Sequence, residues 1–188
     1  TLPESSSCAD EPGERRVWRL THDEYDRTIM DLLGVDLAAG ESFAADVAVD
    51  GYRNDAQALT VSSLLADQYR VAAEDIAGAT VLNDILPCTA EISGASSCAV
   101  EFINDFGRRA FRRPLNQEEV ERYAMLWAEV AEEDGFDAGV QWVITAMLQS
   151  PHFLYRSELG LLGTDGLWQL TDWEVASELS YLLWGTMP

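Results

Sequence analysis

The sequence predicts an all-α fold, a bundle-like array of about seven helices with one long ordered loop at about residues 34–59. Three observations carry this prediction. A helix-start phrase recurs as Thr21 with Glu24, Asn116 with Glu119, and Thr171 with Glu174. In each, the short polar side chain can accept the amide three residues on, and the Glu can reach back to the cap amide. Elsewhere apolar residues return at spacings of three and four, the period of one helix face. Sustained alternation of apolar and polar residues is absent, so strands should be few.

Residues 1–16 (TLPESSSCADEPGERR) are polar, hold Pro3, Pro12 and Gly13, and read as an extended leader. A first helix is expected at 21–33, with Ile29, Leu32 and Leu33 on its apolar face and Gly34 as its stop. Residues 34–59 are rich in Gly, Ala and Asp, a length that in a compact domain is functional or disordered. Phe43 and Tyr52 argue for order, as buried anchors, with Asp50 and Asn54 bonding backbone groups. A second helix is expected at 61–77, carrying Leu64, Leu65, Tyr69, Ala72 and Ile76 and ending at Gly78. A third, at 97–112, carries Phe102, Ile103, Phe106, Ala110 and Phe111 and stops before Pro114. Asn116 opens a helix to about 133, and residues 137–149 form the next, with Val140, Ile144 and Leu148 in phase. Ser150 can cap a short helix that has Pro151 at its first position. Thr171 opens the last helix, to about 184.

Composition excludes several functions. At 47% apolar and 24% charged residues, a chain of 188 residues can bury a core unaided. Its charge is −21, from 12 arginines against 33 acids, and it has no lysine. A Walker-type phosphate loop and a Schiff-base enzyme both need a Lys, so neither is encoded. Such a negative chain repels phosphate backbones, and no nucleic-acid partner is expected. No apolar run reaches the length of a membrane span. The patterns H-E-x-x-H, C-x-x-C-H and G-x-S-x-G are absent, which removes zinc-protease chemistry, covalently attached haem and the nucleophile elbow. His22 and His152 stand alone and are expected to be surface or cap residues. The six tryptophans are expected in the core, with a groove for sugars or flat ligands as the alternative.

Three groups of residues are candidate sites. Asp46, Asp50, Asn54 and Asp55 lie in the long loop, where Asp46, Asp50, Gly51 and Asn54 fall at positions 1, 5, 6 and 9 of a calcium loop. Ala48 and Gln57 then occupy positions 3 and 12, where ligands belong, so turn-forming Asp and Asn are preferred and calcium is the alternative. Arg108, Arg109, Arg112 and Arg113 concentrate cations at a helix C-terminus, where 108 and 112 would share one face and 109 and 113 the next. In so acidic a chain an ion-pair hub is preferred over a site for a carboxylate, sulfate or phosphate. Cys88 and Cys98 enclose the polar stretch TAEISGASS and are either a disulfide or two unrelated thiols, with Cys8 left over. Paired carboxylates of glycosidase type cannot be singled out among so many acids.

Arg19-Leu20-Thr21-His22-Asp23-Glu24-Tyr25, Thr28 and Asp31-Leu32-Leu33-Gly34 resemble the opening of a planctomycete- or myxobacterial-type family of large secreted proteins. That family is built of serial domains of unknown function (DUF1587-, DUF1595- and DUF1592-like), often beside cytochrome c domains. Asp50-Gly51-Tyr52, Asn54 and Leu59-Thr60-Val61-Ser62 resemble the rest of its first domain. Phe106 to Leu115 and Leu148 to Arg156 resemble the second, and Glu174-Val175-Ala176 with Leu179 to Pro188 the start of a third. After the leader at 1–16, the resemblance implies a first helical domain at 17–90, a second at 91–160 and a truncated third at 165–188. It implies that the chain is a fragment or processed portion of a longer protein. It also implies export, to a periplasmic, outer-membrane-associated or extracellular place, and export favours the Cys88–Cys98 bridge. The family supplies no settled catalytic residues.

Two functions follow as expectations. The first is a scaffold or partner-binding module of a large envelope protein, docking the remainder of its polypeptide or a second processed chain. The second is part of an exported redox-linked or polymer-directed enzyme, completed elsewhere. A cytochrome c-type redox partner is implied by the resemblance, and no cofactor is expected to be bound covalently by this chain.

Overall fold

The computed structural model describes residues 15–46, 56, 58–164 and 166–188, and among them the fold is all-α with two short ribbons. The long helices are α1 (His22–Leu33), α2 (Ser63–Ala79), α5 (Ala95–Ala110), α6 (Gln117–Asp134), α7 (Phe136–Leu148) and α9 (Asp172–Trp184). Single-turn helices α3 (Leu82–Ile85), α4 (Ala90–Ser93) and α8 (Pro151–Leu154) fill the connections, and a 3-10 turn spans Ala39–Ser42. All three capping boxes form, at Thr21, Asn116 and Thr171. Ser150 caps α8 with Pro151 in its first turn.

Two boundaries differ from expectation. Gly78 does not end α2. The helix runs on to Ala79, where Thr80 closes it by donating its amide to Ala77 O and its hydroxyl to Ile76 O. A glycine in a last turn costs a helix only about 1 kcal/mol, less than this capping returns together with the buried Ile76 and Ala77. Helix α5 ends at Ala110, because Arg112 takes a left-handed conformation with φ of 57°. Arg112 therefore leaves the helix, and the face it was expected to share with Arg108 does not exist.

One hydrophobic cluster runs from Leu20 to Met187. Helix α7 sits at its centre, packed on α2, α5 and α6, with Val140, Val143, Ile144, Met147 and Leu148 fully buried. Strand β1 (Arg16–Arg19) pairs antiparallel with β2 (Tyr155–Glu158), with Trp18 opposite Arg156. Strands β3 (Leu161–Leu162) and β4 (Trp168–Gln169) form the second ribbon. Within the long loop, Phe43 is buried against Tyr25 and Tyr69. Gly40 donates its amide to Asp26, and a Cβ there would strike the Asp26 carboxylate and His22 O, so no larger residue fits this turn. Asp50, Tyr52, Asn54, Asp55 and Cys8 lie outside the described residues.

Candidate functional site

The four arginines expected at one site are distributed to four different partners. Arg108 pairs with exposed Asp105 one turn back, and Arg109 donates to Asp31 O of α1. Arg113 forks onto buried Glu119, at 2.7 and 2.9 Å, and also donates to Pro114 O. Arg112 is buried and donates to His152 O, Phe153 O and Tyr155 O at 2.8–2.9 Å, closing the C-terminus of α8 with a cation. Burial lowers its proton affinity, but a guanidinium stays charged in proteins. The left-handed turn at Arg112 is what aims the side chain inward, so strain there is offset by three charge-assisted bonds.

Two further arginines stand on the β1–β2 ribbon. Arg19 is buried, donates to Tyr69 OH at 2.7 Å, and pairs with Asp46. Asp46 also lies 3.1 Å from His22 Nε2, whose proton affinity is lowered by burial. Asp46 is thus committed to the core, while its expected companions Asp50, Asn54 and Asp55 are not described. Among the described residues no group of three His, Cys, Asp or Glu is placed to hold a metal. Arg156 donates to Glu178 Oε2 at 2.8 Å, approaches Glu24 at 3.5 Å, and lies over the Tyr181 ring. Sequence reasoning did not single out Arg19 or Arg156, because neither sits in a charge run. Cys88 and Cys98 are joined by a disulfide that ties the α3–α4 connection to the first turn of α5.

Two of the surfaces formed by the described residues suit a ligand or partner. The first is a groove of about 760 Å³, floored by Val17, Tyr155 and Ser157 of the β1–β2 ribbon. Phe111, Pro114, His152, Leu161 and Trp173 line it as well. Its acid, Glu174, is consumed. Burial would raise its pKa, but Thr171, Gly160, Ser157 and Leu159 all donate to it and bring it below the ordinary value. Arg113, which lines the groove, holds Glu119 near pKa 2 through its fork.

The second surface is the outside of α9. Its inner face is polar: Ser177, Ser180 and Tyr181 are buried, and Tyr181 OH hydrogen-bonds Thr28 at 2.9 Å. Its outer face carries Val175, Leu179, Leu182 and Leu183, with Leu182 80% exposed. Leu161, Leu162, Leu167 and Trp168 of the neighbouring ribbon are exposed as well. The core expectation for the tryptophans is corrected here. Trp127 is buried, whereas Trp142, Trp168, Trp173 and Trp184 are exposed, because packing turned their helix and ribbon faces outward.

Comparison with known families places these features. Residues 18–81 match the family model PSD3, a protein of unknown function (DUF1587). Residues 98–158 match PSD5, a protein of unknown function (DUF1595). The chain carries serial domains of unknown function. No curated protein and no solved structure matches it. The two matched segments share one core, and the β1–β2 ribbon joins the start of the first to the end of the second.

Proposed function

We propose that this chain is a helical partner-binding module of a larger exported, envelope-associated protein. The outer face of α9 carries the reading. A helix ordinarily buries its apolar stripe, and here the apolar stripe faces out while serines and a tyrosine face in. Contiguous exposed apolar surface of this kind marks a docking site. No helix among the described residues is long and apolar enough to cross a membrane. The net charge of −21 opposes adhesion to anionic lipid or nucleic acid, which leaves protein as the partner. The occupant is the remainder of the same polypeptide or a second processed chain, and a cytochrome c-type domain is the redox partner that the resemblance implies. The disulfide supports export, since such bonds persist in oxidising compartments.

A photo-reactive residue placed at Leu179 or Leu182 of the full-length protein in its native host tests this. The expected result is cross-linking to one defined segment or chain from these positions, and none from exposed Glu133. Absence of cross-linking at 179 and 182, or equal cross-linking at 133, refutes the docking role.

A further inference from the structure

We infer that the groove lined by the β1–β2 ribbon, the start of α9 and the Phe111–Pro114 corner binds an uncharged, mainly hydrocarbon molecule carrying one hydroxyl or carbonyl, which pairs with Ser177 Oγ. The volume of about 760 Å³ falls within the range of small-molecule sites, and Val17, Phe111, Pro114, Tyr155, Leu161 and Trp173 give the lining its apolar character. Surface of this kind takes up a hydrocarbon body.

Charge decides the class of that molecule. Arg112, Arg113 and Glu174 line the groove, and each is already engaged within the protein. Arg112 donates to three carbonyls, Arg113 forks onto Glu119, and Glu174 accepts from Thr171, Ser157, Leu159 and Gly160. With Glu119 beside Arg113, these groups hold two positive and two negative charges. Burial lowers the proton affinity of His152, so its imidazole adds no charge at neutral pH. An ionic ligand would lose its hydration shell here and find no unpaired counter-charge among these groups.

The hydroxyls single out one partner. Ser157 and Thr171 spend theirs on Glu174. Ser177 is 4% exposed, lines the groove, and its Oγ has no hydrogen-bond partner among the described residues. A serine inside a helix can return its hydroxyl to the carbonyl one turn back, and Ser177 does not. A buried hydroxyl left unpaired is costly, and a ligand hydroxyl or carbonyl supplies what it lacks.

The site is distinct from the outer face of α9, and the two can fail separately. Equilibrium dialysis of the protein against 2-naphthol tests it, with naphthalene and 2-naphthoate as comparators that share the ring system. The expected result is one 2-naphthol per chain, naphthalene about fivefold weaker, and 2-naphthoate weaker than both. Ser177→Ala should bring 2-naphthol to the level of naphthalene, leave naphthalene unchanged, and not lower Tm. Leu161→Asn should weaken both. Leu182→Ser, on the outer face of α9, should change neither. A 2-naphthoate affinity equal to that of 2-naphthol overturns the uncharged ligand, and 2-naphthol binding unmoved by Ser177→Ala overturns the pairing. No binding overturns the site, and so does a stoichiometry above one that ignores Leu161→Asn, which means an adventitious hydrophobe only.

Discussion

Helices α7 and α9 are of equal length, 13 residues each, and are solved in opposite ways. In α7 the apolar residues go inside, where Val140, Val143, Ile144, Met147 and Leu148 meet α2, α5 and α6. In α9 the leucines go outside, and the buried side is held by Tyr181, by Glu178 bonded to Arg156, and by Arg112 beneath. The first arrangement is non-directional and gains with area. The second depends on geometry. Ser177 Oγ and Glu178 Oε1 are buried with no hydrogen-bond partner among the described residues, and burial pushes the Glu178 carboxyl up. A helix held this way contributes little stability of its own and leaves its apolar face exposed.

Variants can break or sharpen this contrast. The largest effect is expected at Arg112, which links the α5 corner, α8 and α9. Arg112→Met removes the donor to three carbonyls, one of them buried and two half-buried, and should cost about 3 kcal/mol, measured by urea unfolding. Next comes the centre of α7, where Ile144→Ala should cost about 3 kcal/mol by opening a cavity in a fully buried site. Reducing the Cys88–Cys98 bridge, which closes a sequence separation of 10, should lower stability by about 2–3 kcal/mol and is read as a fall in Tm.

A smaller effect is expected from pH. Glu119 is held at about 2 in the fold against an ordinary 4.5, chiefly by the Arg113 fork. Its stabilising contribution is therefore complete above pH 4.5 and is lost as pH falls towards 2. Allowing for solvent screening, the loss should be on the order of 1–2 kcal/mol. Asp26 and Glu178, whose carboxyls burial pushes up, act in the opposite sense, so the comparison is between parent and Glu119→Gln across that window. The smallest effect is expected at Leu182→Ser, within about 0.5 kcal/mol, because that side chain touches little. A Leu182→Ser loss as large as that of Ile144→Ala would erase the distinction between the two helices.

Much of the secondary structure was legible. The capping boxes at Thr21, Asn116 and Thr171 and the Ser150–Pro151 start act through bonds between neighbours two or three residues apart, so the residues involved are visible together in the sequence. Phe43 as an anchor was legible for a similar reason, an aromatic set among small residues. The site was not. The arginine run is one word in the sequence, yet its members serve Asp105, Asp31, three carbonyls near α8, and Glu119. The groove gathers Val17, Phe111, His152, Leu161 and Trp173 from five places in the chain, and no spacing relates them.

By itself, then, the sequence determined where helices begin, which chemistries lysine-free composition forbids, and that the fold is all-α. Tertiary structure alone decided which face of α9 is inside, why Arg112 leaves its helix, and that Arg16–Arg19 pairs with Tyr155–Glu158 across the whole chain. The physical reason is range. A cap is a bond between near neighbours and survives any packing, whereas burial and ion pairing depend on which distant surfaces meet. In α9 the deciding surface is the pair of buried guanidiniums of Arg112 and Arg156, which recruit the polar side of the helix and leave its leucines in water.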